Sequence, residues 1–353
     1  MHHPSIQAAR HMSTTTPAIR MRMSADEARA MLAAQRLLAD ADLSGADLSG
    51  IDLSGCRLQN VAFADANLTN AVFADADFQD VSFAHAKLDG LRAQQTRFEN
   101  ADFGGASVRD ADCAFAAFDR CDFGGASFAG ASFVRADAHG CRYAQTDFTG
   151  ANLHRFTAMD ADLTSARLTG ASLAQAYLRG ADLSGQDLRG CDLTMTILDG
   201  ASLRKADLSG IALDRTSFVG AQLQDATLRG VRAHFAALLN AVFERADLTD
   251  AVCEMVNASE ANFAAARADA SRWNQSVLSA SVWQRASLKA ARFAYCDLSH
   301  ANLSGADCTR ADFGNANLHA LIDQGAQLSG ASFDGARRTD PALARAEQWQ
   351  PRV

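Results

Sequence analysis

From residue 41 onward the apolar positions recur every five residues. In ADLSGADLSGIDLSGCRLQN, residues 41–60, Leu43, Leu48, Leu53 and Leu58 stand at that interval, and Ala41, Ala46, Ile51 and Cys56 stand two before each. An α-helix turns about 100° per residue, so a column at this spacing spirals around the helix and buries no face. A strand places alternate residues on opposite sides, so a step of five changes side each time. The pattern instead predicts a chain that turns a right angle after each pentad and closes a square coil in four. The Ala and Leu/Phe columns then point inward, and successive coils stack at the strand spacing of about 4.8 Å. Reading from 41 to 335, 59 pentads hold one frame, with 28 Leu and 17 Phe at the centres and Ala two before the centre in 37. All four prolines, Pro4, Pro17, Pro341 and Pro351, fall outside this tract, as ladders that use every N–H require.

This frame resembles the pentapeptide-repeat family, whose motif is A(D/N)LXX, over residues 41–335. The resemblance implies an all-β solenoid, a right-handed quadrilateral parallel β-helix of about 15 coils and roughly 70 Å, with capping segments at both ends. Residues 1–23 show no periodicity and read as a disordered tail. Residues 24–40 read as an N-terminal capping helix: Ser24-Ala-Asp-Glu27 is a capping-box pattern, and Ala28, Leu32 and Leu38 are the expected buried face of a helix over 25–38. Residues 336–353 read as a C-terminal cap, with Asp340 as N-cap, Pro341 at the first helical position, and Leu343 and Trp349 covering the last coil.

Departures from the frame read as packing. The small centres Ala93, Ala158, Ala233 and Ala258 each follow a larger Leu91, Phe156, Val231 or Val256, which conserves volume within the pentad. Trp273 and Trp283 sit among Ala268, Ser271, Ser276 and Ser281, and the one charged centre, Asp323, marks an opening near the C-terminal end. Five cysteines (Cys56, Cys121, Cys141, Cys191, Cys296) take the Ala position and three (Cys113, Cys253, Cys308) the Leu/Phe position, so all eight are expected as buried free thiols. No CxxC, HExxH, Walker loop or GxSxG is present, and His154 and His234 share a column four coils apart. The expectation is therefore no catalytic residue, no cofactor and no metal. The Asp residues before the centres, such as Asp42, Asp47 and Asp52, read as a solvated repeat position.

The four corners differ. With 20 residues per coil, the large apolar residues that end a pentad, Phe115, Met195, Phe235, Met255 and Tyr295, all fall on one corner, together with Arg135, Arg155 and Arg215. Tyr177, Ile197 and Val277 begin the adjoining wall, while another corner carries Gly50, Gly90, Gly130, Gly150, Gly170, Gly190, Gly210 and Gly230. Exposed aromatic, Met and Arg side chains are the composition of an interface centre. This stripe is the candidate contact for another protein.

Charge and composition bear on which partner. The chain is 48% hydrophobic with a net charge of −8. It has no run of membrane-span length and no apolar signal core at its start, so it reads as cytoplasmic. Family relatives include quinolone-resistance proteins that protect DNA gyrase by imitating DNA, the alternative function here. The tract has 36 acidic and 24 basic residues, a net of −12, which is under one charge per coil against one per about 1.7 Å of duplex. The stripe arginines also oppose DNA mimicry, and a tract of this sign is a poor nucleic-acid binder. Other long relatives are accessory or adaptor components, some associated with bacterial type VI secretion, and the Trp-bearing repeats and the end DPALARAEQW resemble that group. The resulting expectation is a non-enzymatic interaction scaffold with no nucleic-acid partner, and dimerisation through an end cap stays open.

Overall fold

In the computed structural model, which describes residues 20–347 and 349, the chain is a right-handed, four-walled parallel β-helix. One pentad shows why. Phe63 N–H donates to Ser82 O in the next coil (2.7 Å), Ala62 N–H donates to Ala41 O in the previous one (2.9 Å), and Ala66 N–H closes the turn on Phe63 O (3.0 Å). Each pentad thus bridges at the residue before its centre, buries the centre, turns, and buries the small residue that opens the next. The bridges run at a constant 20-residue step on all four walls, from Asp42↔Ala62 to Asn317↔Arg337. Regular strand pairing is shorter than the expected fifteen coils. Strands β2 (Leu37–Ala39), β4 (Arg57–Gln59), β5 (Asp77–Gln79), β6 (Arg97–Glu99), β7 (Ala117–Asp119) and β8 (Asp137–His139) form one six-stranded parallel sheet in that order. Past His139 the walls continue as single-residue bridges.

The corner residue takes a left-handed backbone at nearly every pentad, for example Asp65 at φ 58° and Gly130 at φ 70°. Glycine adopts this region without strain, and Asn and Asp do so more readily than most residues. Inside, Phe78, Phe98 and Phe118 stack at centroid spacings of 5.1 and 5.0 Å. The small centres Ala93, Ala158, Ala233 and Ala258 and their larger neighbours are all buried. Trp273 and Trp283 meet edge to face at 5.1 Å. Their indole N–H groups donate to Ser271 and Ser281, both at 2.8 Å, which is what those buried hydroxyls are for. Full burial of each Leu or Phe contributes roughly 1.5–3 kcal/mol.

Both ends differ from the sequence expectation. Met21–Arg22, placed in the disordered tail, form β1 and pair in parallel with β3 (Ala41–Asp42); the rest of that expectation, residues 1–19, lies outside the described residues. Helix α1 (Ala25–Gln35) has its capping box, with Ser24 Oγ accepting from Glu27 N–H (3.3 Å) and Glu27 accepting from Ser24 N–H (2.8 Å). Ala28 and Leu32 are buried as expected, but the helix stops at Gln35 because Arg36 turns left-handed at φ 54°. Leu38 is buried from strand β2 rather than from a helix. It occupies a pentad centre, so the repeat begins before residue 41. At the other end, α2 (Pro341–Glu347) is N-capped by Asp340, which accepts from Ala342 N–H at 2.8 Å. Leu343 and Trp349 are 47% and 72% exposed and do not cover the last coil, whose Leu328 and Phe333 stay only partly buried. The helix is tied instead to the side wall, as described below. Asp323 lies in this opened coil, half-buried.

The wall opens once more, in the middle. Among the described residues, bridges are absent between Arg142 and Asp162, Arg167 and Asp187, and Asp192 and Ala212, while the wall of Asp137, Thr157, Tyr177, Ile197 and Ser217 stays bridged. Walls follow one another at five-residue steps, so the unbroken wall is opposite the one that parts between Arg167 and Asp187. Gln186 is the wedge. It occupies an Ala position, and its Nε2 donates to Leu163 O (3.0 Å), Thr164 O (2.9 Å) and Ala166 O (3.0 Å), taking the place of the bond from Asp187 N–H. A polar groove of about 680 Å³ lies there, lined among others by Gln186, Arg167 and Ser127, whose buried hydroxyl has no partner. The same opening explains Cys141, the one cysteine that is partly exposed against the expectation of eight buried thiols: the rung above it is unpaired. In Gln186→Ala the ladder should close. Amide hydrogen exchange at Leu168, Gly170 and Asp187 should slow at least about tenfold, as expected when an open amide gains a ladder bond worth roughly 1 kcal/mol or more. Unchanged exchange would mean that Gln186 does not hold the rungs apart.

The Asp residues before the centres are turn caps rather than merely solvated groups. Asp42, Asp47 and Asp52 accept from the N–H groups of Ser44 (3.0 Å), Ser49 (3.1 Å) and Ser54 (2.9 Å). Bonds from those serines hold all three carboxyls below their ordinary value of 3.8, and bonds from Thr164 do the same for Asp162. A carboxyl depressed in the folded state stabilises the fold above its unfolded pKa and loses that contribution as pH falls through the folded one. The thermal midpoint should therefore be level near neutral pH and fall steeply below about pH 4. A flat midpoint down to pH 3, or an identical profile for Asp42→Asn/Asp47→Asn/Asp52→Asn, would contradict this role.

Candidate interaction corner

The residues expected on one corner share it. The hydrogen bonds that define the corner run from Phe115 N–H to Val134 O (2.9 Å), Arg135 N–H to His154 O (2.9 Å) and Arg155 N–H to Ala174 O (3.0 Å), and continue through Gln175, Met195, Arg215, Phe235, Met255 and Gln275 to Tyr295 N–H on Gly314 O (2.9 Å). The corner's own bonds are unbroken, although the wall that ends at it lacks the bridge between Asp192 and Ala212. It spans nine coil steps, about 43 Å at the strand spacing. Phe115 and Phe235 are each 53% exposed and Tyr295 64%, while Met195, Met255, Tyr177 and Val277 are also exposed and Ile197 is half-buried. Tyr177 and Ile197 bridge each other on the adjoining wall. Arg135 lies over the Phe115 ring at 5.6 Å and Arg215 over Phe235 at 6.0 Å, so guanidinium and ring surfaces are interleaved. Arg155 Nε donates to Gln175 at 2.7 Å.

The backbone adds information that side-chain type alone lacks. Phe115, Phe235 and Tyr295 hold φ of 61°, 59° and 62°, a region that bulky L-residues seldom occupy. Such a residue costs roughly 1–2 kcal/mol there, against about 0.5–1 kcal/mol of extra chain entropy lost by a glycine. Phe115→Gly, Phe235→Gly and Tyr295→Gly should each leave the fold as stable or more stable by up to about 1 kcal/mol, read as a raised thermal midpoint. A loss of more than about 1 kcal/mol at each would show that the rings support the solenoid itself.

One polar cluster escaped the sequence reading. His319, 4% exposed, and His300 both place Nε2 3.2 Å from the carboxylate of Glu347 on α2. The signal was the coil period: residues 300 and 319 are almost one coil apart, but Glu347 joins them only through the folded end. The spacing resembles the edge of a tetrahedral zinc site, yet His319 Nδ1 accepts from Asp340 N–H at 3.2 Å. That leaves the ring proton on Nε2, where it is given to Glu347, whereas a ligating histidine donates from its other nitrogen. The cluster is a hydrogen-bonded clasp that fastens α2 to the side wall, and the bond from His319 holds the Glu347 carboxyl below its ordinary value. Burial also disfavours the thiolate at Cys253, Cys296 and Cys308, pushing each up to about 12.

A four-walled helix of left-handed corners and Ala/Leu columns defines a class of repeat protein, a solenoid built from five-residue units. The chain belongs to the pentapeptide-repeat family: the family model for pentapeptide repeats matches it in eight copies, over residues 37–75, 76–112, 106–142, 126–155, 159–194, 196–232, 228–264 and 284–319. Members of this family are generally non-enzymatic structural or interaction proteins. No curated protein matches the chain. Among solved structures it is similar to full-length QnrB1, a plasmid-mediated fluoroquinolone resistance protein, at 18% identity over 53% of this chain and 92% of that one with a TM-score of 0.37. It is also similar to HetL, a pentapeptide repeat protein involved in heterocyst differentiation regulation from the cyanobacterium Nostoc sp. strain PCC 7120, at 19% identity over 90% and 98% of the two chains with a TM-score of 0.23. The assignment rests on the repeats and not on these likenesses. No helix of the described residues is long and apolar enough to cross a membrane.

Proposed function

We propose that the protein is a rigid, non-enzymatic scaffold that binds another protein along the corner from Phe115 to Tyr295. The observation that supports this reading is the concentration of bulky side chains on one continuous corner whose backbone favours glycine. Aromatic and arginine anchors of this kind dominate binding where they are desolvated by a partner. In this proposal the partner belongs to a bacterial secretion system of the type VI kind, as the resemblance of the Trp-bearing repeats implies, and the partly open last coil offers a place for a second copy of the chain.

An affinity pull-down from native lysate, quantified by mass spectrometry, tests the reading with wild type beside Phe115→Ser/Phe235→Ser/Tyr295→Ser. Loss of at least about tenfold in one partner with the variant, equivalent to roughly 1.4 kcal/mol, is the expected result. Equal recovery of every partner by both baits would reject the corner, and recovery of gyrase subunits by both would favour the DNA-mimic alternative.

A further inference from the structure

Some of the solenoid's charges are paired between coils, and at two places like charges meet instead. Several basic residues meet an acid about one coil away: Arg57 with Asp77 (3.4 Å), Arg142 with Asp122 (2.5 Å), Arg245 with Asp225 (2.7 Å), and Arg232 with Asp214 (3.1 Å). Within residues 41–335 only two pairs place basic side chains one coil apart in the same column, Arg135 with Arg155 and Arg272 with Arg292. Arg272 and Arg292 bridge each other directly in the ladder. All four are exposed, and among the described residues none forms an ion pair. Like charges facing each other across a parallel ladder are destabilising; Asp312 bridges Arg292 on its other side but forms no ion pair with it.

Both pairs lie on the interaction corner or on the wall that ends at it. Arg135 and Arg155 are corner residues, and Arg292 belongs to the pentad that ends in Tyr295. With backbones one coil, about 4.8 Å, apart, two arginine side chains can reach one carboxylate with charge-assisted bonds by leaving the contacts they make in the free chain, the Phe115 ring for Arg135 and Gln175 for Arg155. The midpoints of the two pairs are separated by about 33 Å of axis at the coil spacing. Asp192, Asp214 and Glu254 occupy the wall between them. A nucleic acid, with its continuous row of phosphates, would meet those carboxylates. A polypeptide with acidic groups at two separated points, and apolar side chains between, would not.

We infer that the two arginine pairs are docking points for carboxylates of an acidic, aromatic-bearing polypeptide. This rests on the reading of the corner as a protein contact and gives that partner its charge. The test uses the full chain and fluorescein-labelled 15-residue peptides of Glu/Phe, Ser/Phe and Lys/Phe composition, with a 15-nucleotide single-stranded DNA, read by anisotropy at 50 and 200 mM NaCl. The expected result is binding of the Glu/Phe peptide at least about tenfold tighter than the Ser/Phe peptide. That preference should shrink at the higher salt and disappear in Arg135→Ser/Arg155→Ser/Arg272→Ser/Arg292→Ser. Thermal melting provides a second readout without a ligand: Arg272→Asp, which turns a like pair into an opposite one and has only Val252 on its other side, should raise the midpoint at low salt. Equal binding of Glu/Phe and Ser/Phe peptides, with loss only in Phe115→Ser/Phe235→Ser/Tyr295→Ser, would overturn the arginine assignment and leave the corner intact. Tighter binding of the DNA, or no peptide binding at all, would overturn it as well.

Discussion

A chain can turn a right angle every fifth residue only if one residue in five accepts a left-handed backbone. The rest of this structure follows from that condition. The turn brings Ala and Leu/Phe columns inside, and the same turn leaves the residue before each centre free to bridge the coils above and below. Because coils contribute 20 residues each, every side chain acquires neighbours at fixed sequence distances. Core packing, Asp turn caps and cross-coil ion pairs are then repeated in step, and a departure from any of them stands out against a regular background.

The departures sort by what relieves them. Small centres are relieved by larger neighbours in the same pentad, and the indole N–H groups of Trp273 and Trp283 by Ser271 and Ser281. Gln186 is relieved by three backbone carbonyls, but at the expense of the ladder, and a groove opens in the wall opposite the continuous one. The corner rings and the Arg272–Arg292 pair are not relieved in this way. Phe115, Phe235 and Tyr295 hold a backbone that suits glycine, and Arg272 faces Arg292 with neither in an ion pair among the described residues. Features that lower stability without an internal compensation are the ones whose account has to come from outside the chain.

Continuity also matters to how such a corner works. The corner bonds from Phe115 to Tyr295 are present at every coil, although the wall that ends at them lacks the bridge between Asp192 and Ala212; the anchors therefore keep a regular spacing and lose little freedom on binding, which favours affinity through preorganisation. The three missing bridges, between Arg142 and Asp162, Arg167 and Asp187, and Asp192 and Ala212, lower local stability in the middle of the solenoid. The wall of Tyr177 and Ile197, beside the corner, stays bridged through this region.

The five-residue frame, the inward columns, the square coil and the sharing of one corner by Phe115, Arg135, Met195, Arg215, Phe235, Met255 and Tyr295 were all legible in the sequence. A strictly periodic chain converts sequence spacing directly into position, and no insertion disturbs the count. What the period could not supply was decided by contacts between coils and at the ends. Leu38 passed from an expected helix to strand β2 because Arg36 turns left-handed and offers the first rung a partner. Leu343 and Trp349 stayed exposed because His300 and His319 fasten Glu347 to the side wall. Cys141 became partly exposed because the rung between Arg142 and Asp162 is unpaired. In each case the deciding interaction joins residues that no local pattern relates, and only the stacked coils bring them within reach.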